Sequence, residues 1–499
     1  LLPDLLEKGK AWFRGVQLSP IAFYDERIAL NYVQSIADEI DRPMLEASLS
    51  LENTQVVVES GQVGREVDIP GTLSLLDPIF RQMEDAVIPL VVNETSPTIL
   101  DVSAQAELAR QMLSEPLVLT DSGAEGEENS WTIPPEELAS MLIISRVDDE
   151  QTDDASYQVV LHQDLFQVYL NGLAPGLSVT PVNPRFIFND DTGQLDVMEP
   201  AVIGRRLDVE ASIDHINQRL KAGEHQVSLQ FEILEPAVTD DTSGEELGIT
   251  ELVRQETSYF YGSDSARVQN IETASAQFHG LLIPPGKTFS MADALGNISL
   301  ENGYAEALII YGDQTIQGVG GGVCQVSTTL FRTAFFAGFP IVERHAHAYR
   351  VSYYEQRANG SRDPNLAGLD ATVYVPIVDL KFINDTDHWL LMETYMGNYA
   401  LTWKFYSTSD GRTVDWHTTG PTNIVPAPDP IYRENPDLEK GEIEQVDYAA
   451  DGAQISVTRT VYKDEKVLFS DAFHTKFQPW QAIYEYGLGT EDIPETESE

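Results

Sequence analysis

The spacing of hydrophobic and polar residues in the first half of this chain switches between strand-like and helix-like patterns, and the same order of patterns occurs twice. Each copy has a strand-like alternation, a six-residue turn with glycine second and aspartate last, a helix-like run and a β-rich run. The first copy occupies residues 54–59, 63–68, 73–86 and 88–92, and the second occupies residues 194–198, 203–208, 212–222 and 226–233. The pattern predicts two similar α+β units. Asp68 and Asp208 are the predicted helix N-cap or turn residues.

The central part of the chain mixes helical and strand patterns. Apolar residues at helical spacing predict helices over residues 267–278 and 326–337, and Gly338 follows the second one as a C-cap. Strand-like runs occur at residues 257–262, 341–354, 371–378, 380–384 and 389–395. This part is therefore predicted to be a mixed α+β domain.

Acidic and proline-rich stretches predict where the chain divides. They are an exposed loop at residues 121–129, boundaries at 148–154 and 239–246, a four-proline linker at 421–430 and a disordered end at 490–499. The predicted fold class is a multidomain α+β protein with a small, separate C-terminal β module. Its predicted segments are 1–147 (the first unit with its connecting segment), 155–238 (the second unit), 249–408 (the mixed domain) and 431–489 (the β module).

The charge of the chain restricts its partners. Lysine and arginine number 31 against 80 aspartate and glutamate residues, which gives a formal net charge of −49. Such a surface repels nucleic acid and anionic membranes. It is typical of an extracellular protein near cations or of a salt-adapted host. The sequence contains no run of about 20 apolar residues, so no transmembrane helix is predicted. The chain opens with Leu1-Leu2-Pro3-Asp4, which lacks a signal-peptide pattern and indicates a mature or trimmed chain.

The candidate chemistry centres on Cys324, the only cysteine of the sequence. It follows Gly320, Gly321 and Gly322 and precedes the predicted helix at 326–337. A helix N-terminus favours the thiolate, the nucleophilic form of cysteine, because the helix dipole and free N–H groups stabilise negative charge. A lone cysteine is also commonly a small buried apolar residue, and glycines also permit close packing. The local pattern leaves both interpretations open.

A nucleophilic cysteine needs a base and a group that orients the base. His345 and His347 are two residues apart, so on a strand they share a face. Asp370 stands at the start of the next strand-like run. Cys324, His347 and Asp370 would make a Cys-His-Asp triad.

Other interpretations of these residues remain open beside the triad. Oxyanion donors would come from the N–H groups of residues 322–325, with the Gln325 side chain as a further donor. The His-x-His pair with Cys324 or Asp370 would instead make a transition-metal site. In the third alternative both histidines hydrogen-bond within a sheet and have no chemical role.

Several motifs between residues 250 and 406 resemble the VanW family. They are Pro285-Gly286-Lys287-Thr288-Phe289-Ser290, Gly303-Tyr304, residues 320–330, Glu343-Arg344 with His347, Asp370-Ala371-Thr372-Val373, and Asp379-Leu380 with Phe382 and Asn384. Ala348 departs from the serine that family members commonly carry. The repeated units resemble the peptidoglycan-binding domain that often precedes a VanW domain. The tail resembles the five-glycine accessory module of cell-wall proteins, with several of the expected glycines missing.

The resemblance implies an extracellular, wall-associated protein that engages peptidoglycan or another wall polymer. The net charge of −49 predicts divalent cations at the acidic surface, and no cofactor is expected. The predicted chemistry is hydrolysis or transpeptidation on peptide stems through a Cys324 thioester, with His347 as base and Asp370 as its orienting group. The predicted binding residues are Gly320, Gly321, Gly322, Gln325, Arg344 and His345. The alternative is a non-catalytic wall-binding or scaffold protein whose glycine motif shapes a ligand groove.

Overall fold

The computed structural model describes residues 2–15, 23–83, 85–122, 128–149, 154–311, 314–491 and 493–494. The chain forms two compact units. Unit 1 comprises Leu1–Val179 and Arg205–Leu234, and unit 2 comprises Thr180–Gly204 and Glu235–Glu499. Helices and strands are mixed in both units, so the predicted multidomain α+β fold is confirmed.

The elements of the first half of the chain follow one another in this order. They are α1 Leu2–Arg14, α2 Glu26–Ile40, β1 Ser48–Glu52, β2 Gln55–Glu59, β3 Gly64–Val67, α3 Ile69–Gln82, β4 Val92–Thr95, α4 Ser103–Met112, β5 Leu117–Ser122, β6 Glu128–Ile133, α5 Pro135–Ser140, β7 Leu142–Asp148, β8 Ala155–Leu161, α6 Gln163–Leu177, β9 Arg185–Asn189, β10 Gln194–Glu199, β11 Gly204–Leu207, α7 Val209–Lys221, β12 Gln226–Ser228 and β13 Phe231–Leu234.

The elements of the second half continue the order. They are α8 Gly244–Leu247, β14 Glu251–Tyr259, α9 Ser265–Ala276, β15 Leu281–Ile283, β16 Thr288–Ser290, α10 Met291–Leu295, β17 Glu306–Tyr311, β18 Gln314–Val319, α11 Val323–Ala337, β19 Ile341–Glu343, β20 Lys381–Ile383, β21 Leu390–Gly397, β22 Ala400–Ser407, β23 Thr413–Thr418, β24 Thr422–Val425, β25 Ile431–Asn435, β26 Ile443–Asp447, β27 Gly452–Lys463, β28 Lys466–Phe477 and β29 Ile483–Gly487. Short 3-10 helices occupy Leu300–Asn302, Ser352–Glu355 and Pro364–Leu366.

The two copies of the repeat share one order of elements. Each has a helix (α2, α6), an antiparallel hairpin (β1–β2, β9–β10), a strand (β3, β11), a second helix (α3, α7), and a strand that pairs with the one before that helix (β4, β13). Asp68 and Asp208 cap the second helices, because their carboxylates accept the N–H groups of Gly71 (2.8 Å) and Ala211 (2.9 Å). The division between the units falls within the second copy, whose hairpin belongs to unit 2.

Two acidic stretches of unit 1 lie in β-hairpins. The ends of the predicted exposed loop at 121–129 are strand residues, since Asp121 pairs in register with Asn129. Asp121 is also buried and forms an ion pair with Arg205 (2.7 Å), so the loop prediction is wrong there, and residues 123–127 lie outside the described part. The stretch at 148–154 connects the paired strands β7 and β8 within unit 1, with residues 150–153 outside the described part.

The core of unit 2 is built around α11. Val323 and residues 325–335 of this helix are all buried. The helix begins after Gly322 (φ 115°) and ends at Gly338 (φ 81°), a left-handed C-cap as predicted. Apolar residues of α11 share one cluster with those of the four-stranded sheet β14-β22-β21-β15.

Several strand predictions in unit 2 are wrong. Residues 341–354 contain a strand only at Ile341–Glu343, and residues 371–378 make only isolated bridges, such as that of Thr372 with His345. The segment that carries both histidines is therefore largely a loop. Its backbone N–H and C=O groups form hydrogen bonds with side chains and with neighbouring loops, and they do not form a continuous strand ladder.

The C-terminal strands are joined to the rest of unit 2. The predicted linker at 421–430 contains β24, which pairs with β27, and β23 pairs with β27 as well. Ala453, Ile455, Val457 and Phe477 lie in the same apolar cluster as α11, so the C-terminal β module shares the core of unit 2. The predicted bounds of this module, 431–489, stay a prediction. Of the predicted disordered end at 490–499, residues 492 and 495–499 lie outside the described part. No described helix has the length and apolar character needed to span a membrane.

Candidate functional site

Cys324 lies at the N-terminus of α11, where the sequence predicts it. It is the second residue of the helix, and between Val323 and Phe335 it alone is not buried. Its Sγ is 3.4 Å from Thr372 Oγ1 and 3.7 Å from the Val373 carbonyl oxygen. The thiol therefore faces the loop that follows Asp370 rather than the core.

The three glycines before Cys324 are required by the packing of the turn. Gly320 (φ 89°) and Gly322 (φ 115°) have left-handed backbone conformations. A Cβ at Gly321 would lie 2.5 Å from the Leu308 carbonyl oxygen, and one at Gly322 would lie 2.8 Å from that of Arg267. Because these neighbours are backbone atoms, any side chain here would displace the start of α11. Packing thus accounts for the glycines, and their role in ligand binding stays a prediction.

The predicted oxyanion donors are partly used inside the protein. The N–H of Val323 donates to the Gly320 carbonyl oxygen (3.1 Å), and that of Gln325 donates to the Gly322 carbonyl oxygen (2.9 Å). Among the residues that the structure describes, the N–H groups of Gly322 and Cys324 have no acceptor. These two groups at the helix N-terminus are the ones that could bind a developing oxyanion.

The Gln325 side chain is not an oxyanion donor, and that prediction is wrong. It is fully buried, where its Nε2 donates to Ser258 Oγ (2.9 Å) and its Oε1 accepts from Arg267 Nη2 (2.9 Å). Gln325 follows Cys324 on the helix, so its side chain points in a different direction and joins α11 to β14 and α9.

His347 and Asp370 form a buried pair. Nδ1 of His347 lies 2.6 Å from Asp370 Oδ2, and the same oxygen accepts the His347 backbone N–H (2.9 Å). Arg344 Nη2 contacts the other carboxylate oxygen at 3.0 Å. Each of the three side chains is no more than 5% exposed. Asp370 therefore fixes the orientation of the imidazole ring and leaves Nε2 on its far side.

The electrostatics of the site favour a thiolate beside an imidazolium. Burial raises the pKa of the Cys324 thiol, but the hydrogen bond and charge attraction from His347 outweigh it, with help from Thr372 and Val373, and lower that pKa to about 7. Burial likewise lowers the pKa of His347, but Asp370 and the thiolate raise it to about 9. Burial opposes the ionisation of Asp370 too, yet Arg344 and His347 hold the pKa of that carboxyl well below its usual range.

Polar side chains of α11 hold the Asp370 segment against Cys324. Ser327 Oγ donates to the Ala371 carbonyl oxygen (2.6 Å), and Thr328 Oγ1 accepts the Ala371 N–H (3.1 Å). Ala371 lies between Asp370 and Thr372, so these bonds place the carboxylate and the Thr372 hydroxyl at the helix N-terminus. The Ser-Thr pair of the sequence motif thus has a structural role.

Sequence reasoning missed Tyr354 and Arg332. The Tyr354 hydroxyl lies 3.1 Å from His347 Nε2, and the two rings pack with centroids 4.7 Å apart. Burial raises the pKa of Tyr354 well above its ordinary value, so this hydroxyl stays neutral. Arg332, also on α11, donates to the carbonyl oxygens of Leu369 (2.8 Å) and Tyr354. The sequence did not indicate either residue. Arg332 binds backbone carbonyl oxygens, and Tyr354 contacts the His347 ring only in the folded structure.

The other predicted binding residues lie apart from the thiol. Arg344 is buried behind Asp370, where it also donates to the carbonyl oxygens of Gly368 (2.9 Å) and Asp370 (2.6 Å). The His345 side chain is 51% exposed and contacts Glu343. The two histidines do not share a face, so the geometry of the alternative His-x-His metal site is not present. The described residues contain no cluster of three or more His, Cys, Asp or Glu side chains suited to a metal ion.

Known proteins are similar to parts of this chain. Residues 266–406 match the family described as "VanW like protein", and residues 5–88 match the one described as "Putative peptidoglycan binding domain". "Uncharacterized protein YoaR" of Bacillus subtilis is 32% identical over 155 residues, which cover 31% of this chain and 48% of that protein. "Vancomycin B-type resistance protein VanW" of Enterococcus faecalis is 31% identical over 121 residues, which cover 24% of this chain and 42% of that protein.

These similarities span about half the length of each curated relative. The solved "IgA1 Protease G5 domain structure" is similar over 15% of this chain and 88% of that chain, with 18% identity. The TM-score of this match is 0.11. Cys324, His347 and Asp370 all fall within residues 266–406. The chain thus contains a VanW-like domain that includes all three residues, preceded by a domain of the peptidoglycan-binding type over residues 5–88.

Proposed function

We propose that this chain is an extracellular, cell-wall-associated protein whose VanW-like domain carries out acyl transfer on the peptide stems of peptidoglycan. The observation that supports the reaction is the buried Asp370–His347 pair, whose imidazolium lowers the pKa of the Cys324 thiol to about 7. The families matched by the two domains support the substrate and the location.

In the proposed reaction Cys324 Sγ attacks the carbonyl carbon of a stem amide. The carbon–sulfur bond forms, the carbon–nitrogen bond breaks, and the amine leaves with a proton from the imidazolium of His347. The N–H groups of Gly322 and Cys324 stabilise the oxyanion. Water or a second amine then attacks the thioester, returns a proton to His347 and releases an acid or a new amide. Asp370 stays ionised and holds the ring in place.

Incubation of the full chain with purified soluble muropeptides should give an acyl adduct on Cys324, seen by intact-protein mass spectrometry. The adduct should be lost on treatment with hydroxylamine, since thioesters react with it readily. Cys324→Ala should form no adduct, and His417→Ala, which changes an exposed histidine on β23, should behave as the wild type. If wild type and Cys324→Ala give the same spectrum with every stem tested, the acyl-transfer function is wrong.

The non-catalytic scaffold remains the second candidate function. It is favoured by the packing of Gly320, Gly321 and Gly322 against protein atoms, which explains the glycine motif without a bound substrate. A scaffold predicts that muropeptides leave the mass of Cys324 unchanged while the chain still binds the wall.

Binding to the wall is proposed for the domain at residues 5–88 and its second copy. The full chain should pellet with purified peptidoglycan, and calcium or magnesium should increase the bound fraction, because divalent cations screen the repulsion between a chain of net charge −49 and anionic wall polymers. Cys324→Ala should pellet equally well, which separates binding from covalent capture. Failure to pellet at every calcium and magnesium concentration would reject this part of the proposal.

A further inference from the structure

The hairpin that leads into the Cys324 turn is fastened to the C-terminal strands. This hairpin consists of β17 and β18, and its second strand ends next to Gly320. Thr315 in β18 donates through its N–H (3.1 Å) and its hydroxyl (2.8 Å) to the carboxylate of Asp447, at the end of β26. The same carboxylate accepts Trp480 Nε1–H at 2.9 Å. Asp447 is only 1% exposed, so these bonds form away from water.

The loop that carries His347 is fastened to the same C-terminal residues. The carbonyl oxygen of Ala348, the residue after His347, accepts the N–H of Gln478 (2.8 Å). The next ring, that of Tyr349, stacks on Trp480 with centroids 4.4 Å apart and an angle of 27° between planes. Trp480 thus touches the histidine loop with its ring face and Asp447 with its N–H.

We infer that Asp447 and Trp480 are positioning residues for the Cys324–His347 pair. Asp447 ends β26, and Trp480 lies in the connection between β28 and β29. Together they join the segment before the thiol to the segment after the imidazole. The separation of thiol and ring depends on both segments, and a displacement of about 1 Å is enough to weaken such a contact strongly. The C-terminal strands are accordingly part of the reactive site rather than an independent accessory module. The inference rests on the proposed role of Cys324 as the reactive thiol.

The test is the pH dependence of iodoacetamide labelling, which reports the effect of His347 on the Cys324 thiol without any substrate. Cys324 is the only cysteine, so the labelled fraction of the full chain reports this site alone. Asp447→Asn replaces one carboxylate oxygen by an NH2 group. This group cannot accept the hydrogen bonds that Thr315 and Trp480 donate to the carboxylate. We expect the midpoint of labelling to rise by roughly half to one pH unit. The rate at pH 7 should fall by up to about twofold, because the more basic thiolate regains part of the lost rate as nucleophilicity. Trp480→Phe, which keeps a ring on Tyr349 but loses the N–H donor, should shift the midpoint in the same direction.

Asp464→Asn is the matched control, because Asp464 is an exposed aspartate in the turn between β27 and β28. Thr315→Val provides a milder change from the other side of the contact if Asp447→Asn does not fold. A wild-type rate and midpoint in folded Thr315→Val and Trp480→Phe would overturn the inference while leaving the proposed function intact. A wild-type thiol that labels like a simple thiol, with a midpoint near 9, would overturn both.

Discussion

Replacing Asp370 by asparagine is expected to lower the melting temperature of unit 2 by roughly 5–10 °C. The carboxylate is buried against Arg344 and His347, and asparagine would leave two buried cationic groups without their counter-charge. Removing one partner of such a buried pair costs about 3–5 kcal/mol. Calorimetry of the full chain measures the change, with Asp387→Asn, an exposed aspartate of the same unit, as the control.

The pH dependence of this effect follows from the lowered pKa of Asp370. A carboxyl whose pKa is lower in the folded state stabilises the fold above its unfolded-state pKa of about 4 and loses that contribution as the pH falls through the folded-state value. The difference between wild type and Asp370→Asn should therefore be largest between about pH 5 and pH 6.5 and shrink in acid as Asp370 is protonated. It should also shrink as the pH rises toward about 9, because His347 then loses the charge that Asp370 stabilises. Equal melting temperatures at pH 7 would show that the buried pair contributes nothing to stability.

Removing the imidazole in His347→Ala is expected to move the labelling midpoint of Cys324 from about 7 to about 9 or above. Without the imidazolium, nothing of comparable size offsets the burial that raises the pKa of the Cys324 thiol. At pH 7 the thiolate fraction falls from about one half to about one in a hundred, while the more basic thiolate regains about eightfold in nucleophilicity. The net slowing is about sixfold.

Two further variants make this result specific. His347→Gln keeps a polar side chain of similar size and should show the same upward midpoint, which separates loss of charge from a cavity. His345→Ala should label like the wild type, because that ring is exposed and contacts Glu343 instead of the thiol. If His345→Ala slows labelling and His347→Ala does not, the structure assigns the base wrongly.

The local features of the site could be predicted from the sequence. The spacing of Val326, Leu330 and Ala334 sets a helical period, and the glycines on either side set its ends, so α11 and the place of Cys324 follow from short-range rules. The repeat and its helix-capping aspartates could also be predicted from the sequence, because an N-cap hydrogen bond joins residues only three positions apart.

Long-range contacts could not be predicted in the same way. His345 and His347 have the same chemistry and lie two residues apart, and a strand would have put them on one face. The loop after Glu343 instead buries His347 against Asp370 and leaves His345 exposed, because the Asp370 carboxylate and the Ala371 backbone are held by Arg344, Ser327 and Thr328.

The sequence alone thus determined the helix that carries the thiol, the glycine turn before it, the three residue types of the candidate triad and the family resemblance. Only the tertiary structure decided which histidine is buried against Asp370, that the Gln325 side chain is turned inward, and that the Tyr354 hydroxyl contacts His347. The physical reason is the distance along the chain: helix periods and caps act over a few residues, whereas Asp447 and Thr315 are 132 positions apart and are brought together only by the tertiary fold.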